Sequence, residues 1–126
     1  MRSNPFSPSH QLDILVAEKV MGYTGIEKHE DGSWFGTSSR GNHRRLPHYS
    51  SDLNVAWQVL EKLAAKHAVQ VDNLGYKRLS DGAAIPLWRC FIDWSPDSVT
   101  DNYAEGYTAA VAICRAALKA CGVREI

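Results

Sequence analysis

The sequence predicts an α+β fold, a compact layered sandwich in which a small, mostly antiparallel sheet is covered by three helices. Three observations carry that prediction. Apolar residues recur at helical spacing in three separate stretches, near the start, in the middle and at the end of the chain. Two apolar, aromatic-rich runs lie between the second and third stretches, separated by the turn signal Ser80-Asp81-Gly82. The order helix, short strand, helix, strand, strand, helix then leaves the strands to pair antiparallel beneath the helices.

After a proline-punctuated, flexible lead at 1–8, Ser9 is placed to cap a first helix whose Leu12, Leu15, Val16 and Val20 share one face and whose end suits Gly22. From Tyr23 onward the pattern loosens, and only Trp34, Phe35 and Thr37 suggest a strand; the remainder up to Tyr49 reads as loop. The second helix is the clearest element. Leu53, Ala56, Trp57, Leu60, Leu63 and Ala64 form its apolar stripe, which is expected to be buried, with Ser50 or Ser51 as the cap.

The two following runs, 69–79 and 85–94, read as a hairpin. Alternation puts Trp88, Cys90, Ile92 and Trp94 on one face of its second strand and Leu87, Arg89, Phe91 and Asp93 on the other. Residues 95–106 read as a polar stretch with turn character. The last helix starts near Thr108, is rich in alanine and closes at Gly122, so it can lie close to a neighbour.

The chain has 126 residues, 44% of them hydrophobic, enough for one core and a single domain spanning 1–126. Fourteen basic and fourteen acidic residues cancel, which removes the whole-molecule field that drives nonspecific nucleic-acid or membrane binding. Cys90, Cys114 and Cys121 are an odd set without CxxC spacing and read as reduced, buried thiols of a cytoplasmic protein. No stretch reaches the length needed to cross a bilayer, so neither secretion nor membrane insertion is expected.

Three segments also carry a resemblance. LVAEKVMGY (15–23), AWQVLEKL (56–63) and AICRAALKA (112–120) resemble, in content and order, the recurring pattern of the phage ABA sandwich domains, small phage and prophage proteins. The resemblance implies a sheet covered by helices and a phage or prophage origin, hence the cytoplasm of a bacterial host cell. It covers the helices; the stretch 37–50 follows no part of that pattern.

The most uneven local charge falls in that stretch. Arg40, His43, Arg44, Arg45 and His48 occur with no acid between Arg40 and Ser51, and the run ends at the start of the second helix, where unpaired amides favour an anion. Arginine forks match phosphate oxygens, and Tyr49 or Trp34 could stack on a base. Arg89, Phe91 and Asp93 along one strand face could extend a nucleotide groove. In both places the alternative is a solvated surface whose charges pair with acids elsewhere. His43 and His48 have no spaced Cys, His or carboxylate beside them to complete a tetrahedral site, so no metal is expected. Without GxSxG, HExxH, P-loop or GxGxxG motifs, neither catalysis nor a cofactor is expected.

Small phage proteins without catalytic motifs commonly bind and block, an argument from class. The leading expectation is therefore a counter-defence accessory protein that sequesters a small phosphate-containing ligand, a nucleotide-derived, cyclic-nucleotide immune signal, through Arg40, His43, Arg44, Arg45, Tyr49 and Arg89. Two alternatives stand beside it. One is an inhibitor docking on a host defence protein through arginine and tryptophan anchors. The other is a structural homo-oligomer in which the alanine-rich helix packs on its copy, unless that helix has an intramolecular partner. Nucleic acid is not an expected partner, since no long basic stripe is present.

Overall fold

The computed structural model describes residues 8–93 and 103–123, and within them the α+β sandwich is observed. Helix α1 (His10–Leu15) runs on into a π-helical turn (Val16–Val20); strands β1 (Thr24–Lys28), β2 (Trp34–Thr37) and β3 (His43–Arg45) follow, then α2 (Leu53–Ala64). The hairpin β4 (Val69–Arg78) and β5 (Ala84–Ile92), strand β6 (Tyr103–Gly106) and helix α3 (Ala109–Ala120) complete the order. The strands form two separate antiparallel sheets, β1-β2-β3 and β4-β5-β6, where one small sheet was expected. The first arises because 24–28 and 43–45, expected as loop, form β1 and β3 on either side of β2, and the second gains its third strand because part of the expected polar stretch, 103–106, pairs with β5.

The central element is α3. It packs on β5 and β6 and also touches α1, the π-helical turn and α2. Ala110, Val111, Ala112, Ile113, Cys114, Ala116, Ala117 and Leu118 are all buried, which is the pattern of a helix surrounded by protein. Its small-residue surface thus has partners within the chain. Thr108 caps it, its hydroxyl accepting from the Val111 N–H at 3.2 Å.

Ser9 caps α1 as expected, accepting from the Leu12 N–H at 3.1 Å, and Gly22 beyond the π-helical turn takes a positive φ of 79°. The α2 cap is Asp52, not Ser50 or Ser51, because Ser50 is drawn inward to α1. The buried stripe of α2 is Ala56, Val59, Leu60 and Leu63, rotated from the expected one. Trp57 and Leu53, expected in the core, are each 51% exposed at its margin, and Ala64 is exposed as well.

Cys90 and Cys114 are buried as expected, whereas Cys121, at the C-cap of α3, is exposed. On β5, Cys90 and Ile92 face the core, and Trp94 lies outside the described residues, as do lead residues 1–7 and residues 95–102 of the polar stretch. Among the described residues, no helix is long and apolar enough to cross a membrane.

Candidate functional site

Strand formation at His43–Arg45 decides where the basic stretch points. Alternation sends His43 and Arg45 to one face of the first sheet and Arg44 to the other. On the outer face Phe35 pairs across the sheet with Arg45, whose guanidinium carbon lies 5.7 Å from the Phe35 ring. The His43 ring stacks at 5.7 Å on one side of the same phenyl group, and the His29 ring at 4.0 Å. On the inner face Arg44 Nε donates to the Tyr23 hydroxyl at 2.8 Å. Arg40 stands exposed in the turn joining β2 to β3. Four of the five basic residues are therefore split among two faces and a turn, and the fifth, His48, lies beyond β3 in the segment leading to α2.

Two further residues depart from expectation. Tyr49 is 1% exposed and cannot stack on a ligand; burial and the neighbouring Tyr23 push its phenol pKa far up, so it stays protonated. Arg89 lies in the other sheet and is already engaged, its Nη2 2.8 Å from Glu105 Oε2 and its guanidinium 4.6 Å from the centre of the Tyr103 ring. Asp93 does not continue the strand face of Arg89 and Phe91. The strand ends at Ile92, Asp93 takes a φ of 56°, and its carboxylate turns to His67 Nδ1 at 2.7 Å and to the Ala68 N–H at 3.2 Å. The Arg89-Phe91-Asp93 groove is thus not formed.

The structure instead assembles a cleft of about 300 Å³ at one end of the first sheet. Its walls are α1 (His10, Asp13, Ile14), the β1–β2 turn leading into Trp34 (Asp31, Gly32, Ser33) and the segment from Arg45 to His48. Arg45, His48 and Trp34, all singled out from sequence, meet here, joined by His10, which sequence reasoning passed over. The signal that could have found it is the spacing of His10 and Asp13, three residues apart and therefore on one helical face.

The electrostatics of the cleft are mixed. Asp31, fully exposed, is held below the usual carboxylate range chiefly by hydrogen bonds from Ser33, with smaller help from Arg45 and His29. Asp13 is nearly buried. Its Oδ1 accepts from the Ser50 N–H and from the Ser50 hydroxyl, both at 2.7 Å, while Oδ2 lies 3.7 Å from His48 Nδ1. The expected anion site at the start of α2 is not open, because the Asp52 carboxylate accepts from the Asn54 N–H at 3.0 Å.

A second concavity of about 490 Å³ is apolar and lies between the margin of α2 and the second sheet, lined in part by Leu53, Trp57, Val69, Val71 and Trp88. Exposed Trp57 forms one of its walls.

Comparison with known proteins agrees with this architecture. The chain is similar over 94% of its length to a phage protein from Bacillus cereus ATCC 14579, known from a crystal structure, at 26% sequence identity, 95% coverage of that chain and a TM-score of 0.55. None of the curated proteins matches it. A family model described as the phage ABA sandwich domain matches residues 14–118, which takes in all three helices and both sheets apart from the first turn of α1 and the end of α3. The chain belongs to the phage ABA sandwich domain family.

Proposed function

We propose that the protein is a phage accessory binding protein that captures a small phosphate-containing ligand of the nucleotide class in the cleft around Arg45, and that it acts in counter-defence by sequestering a nucleotide-derived immune signal. One observation carries the reading: Arg45, His10 and His48 line the same cleft as the Trp34 indole. A guanidinium with imidazoles suits phosphate oxygens, and an indole beside them suits a base. Membership of a phage family supports the setting. The protein holds its ligand without converting it, and the residues that matter are fewer than the basic stretch suggests: Arg45 contacts the phosphate, while Arg44 supports Tyr23.

The test is calorimetric titration with cyclic dinucleotides, cyclic mononucleotides and inorganic phosphate. Saturable, salt-sensitive binding that weakens about tenfold or more in Arg45→Ala and stays within about twofold in Arg44→Ala and Arg40→Ala supports the assignment. Binding that survives Arg45→Ala removes the cleft from consideration.

Exposed Trp57 and Leu53 beside an apolar groove favour a second reading, an inhibitor that docks on a host defence protein. A partner retained by the wild type and lost with Trp57→Ser would move the assignment to that face.

A further inference from the structure

We propose that His10, Asp13 and His48 form a three-ligand site for a divalent first-row transition metal of the zinc type. The fold brings these residues together from two separate segments, which is why no spacing in the sequence announces the set. His10 and Asp13 project from one face of α1, whose start is fixed by the Ser9 cap. His48 sits in the segment between β3 and α2, where its carbonyl accepts from the N–H groups of Ser51 at 3.2 Å and Asp52 at 2.9 Å. One imidazole nitrogen of each histidine and a carboxylate oxygen of Asp13 all lie within 4.8 Å of one another.

The state of Asp13 is what separates this group from an accidental meeting of surface side chains. Its side chain is 8% exposed, and a carboxylate withdrawn from water needs compensation on both oxygens. Ser50 supplies it at Oδ1 alone, through two donors at 2.7 Å. Those bonds fix the carboxylate plane and leave Oδ2 facing His48 at 3.7 Å, on the wall of the cleft. A second residue that orients a liganding side chain through its other atom is the arrangement metal sites use. Two neutral imidazole nitrogens and one carboxylate oxygen suit zinc and its neighbours in the first row, and three protein ligands leave a coordination position open to the cleft. Bonds of about 2 Å to zinc require donors about 3.3 Å apart, and the solvent-facing His10 and His48 rings can close that gap by rotating toward the fixed carboxylate.

A contrasting group, Glu27, His29 and His43, meets the same distance limit, but all three are exposed and both its imidazoles stack on Phe35. Nothing buried orients a ligand there. The proposal for the α1 cleft does not depend on the nucleotide reading. It is a statement about binding of the metal alone, and either can fail without the other.

The test is titration of chelator-treated, full-length protein with zinc chloride, followed by calorimetry and by imidazole nitrogen shifts in NMR. The expected result is one ion per chain at micromolar affinity or tighter, with the nitrogen shifts of His10 and His48 moving on binding. His10→Ala and His48→Ala each weaken binding by tenfold or more, and His43→Ala leaves it unchanged. Both substituted cleft histidines are exposed, so circular dichroism of these variants is expected to match the wild type. Absence of binding at millimolar zinc, retention of full affinity in both cleft variants, or loss of binding in His43→Ala overturns the proposal.

Discussion

Ser50 and Asp13 are held together by two hydrogen bonds to a single oxygen: the Ser50 backbone N–H and its hydroxyl both reach Asp13 Oδ1 at 2.7 Å. The Ser50 oxygen also accepts from the Ser9 N–H at 3.0 Å, so one buried side chain ties the start of α1 to the segment that leads into α2. Replacing it by alanine leaves a buried carboxylate with one donor fewer. Ser50→Ala is expected to lower stability by about 1–3 kcal/mol in urea unfolding. The double variant with Asp13→Ala is expected to lose clearly less than the sum of the single losses. Strict additivity would mean that the pair is not coupled.

At Gly106 strand β6 lies close against α3. A Cβ added there would lie 2.7 Å from the Ala112 backbone nitrogen and 2.8 Å from Val111 Cβ. Since the first contact is with helix backbone, Gly106→Ala has to push α3 away from β6, and a loss of about 1–3 kcal/mol is expected. A thermal midpoint unchanged from the wild type would show that α3 lies less tightly on the sheet than described.

The three cysteines differ sharply in access. Burial pushes the Cys90 thiol up to about 12 and raises that of Cys114 as well, the latter with help from the nearby Asp13 charge. A thiolate is the reactive form, so neither reacts in the native state near neutral pH. Mass spectrometry after brief treatment with iodoacetamide is expected to find one label, at Cys121, and three labels in denaturant. Native labelling at Cys114 would contradict the central placement of α3.

The His67–Asp93 pair is a surface device with a readable titration. A hydrogen bond from His67 is the main reason that the Asp93 carboxyl titrates below its ordinary value of 3.8, with the Ala68 N–H adding to it. A lowered carboxyl pKa means that the pair's contribution to stability is present above the unfolded-state value and is lost as pH falls through the folded one. His67→Ala is expected to move the Asp93 midpoint back up toward 3.8 in carboxyl NMR titration, and an unmoved midpoint would assign the shift to the backbone donor instead.

Helices were legible in this sequence because their stripes and caps are local: Ser9 caps where the pattern places it, the last helix starts at Thr108 as the pattern predicts, and eight of the twelve residues of that alanine-rich helix are buried. Trp57 was misplaced because a stripe of six positions is wider than the face α2 buries, and only the neighbouring sheet decides which edge is left out. Strand β3 was hidden since His43, Arg44 and Arg45 have little strand propensity and are all exposed; pairing with β2 makes the strand. Half of the cleft follows the same rule. Arg45, His48 and Trp34 were visible as residue types, and the spacing of His10 and Asp13 puts them on one helical face, whereas the meeting of that face with the segment around His48 depends on a tertiary contact between Asp13 and Ser50 that no local pattern encodes.

Native mass spectrometry of the protein purified from a bacterial host, recorded under gentle and denaturing conditions, tests the ligand-capture reading most directly. The account predicts a reproducible extra mass of nucleotide size that is lost on denaturation and missing from Arg45→Ala prepared in the same way. Bare wild-type protein, as monomer or oligomer, or an adduct that Arg45→Ala retains in full, would contradict it.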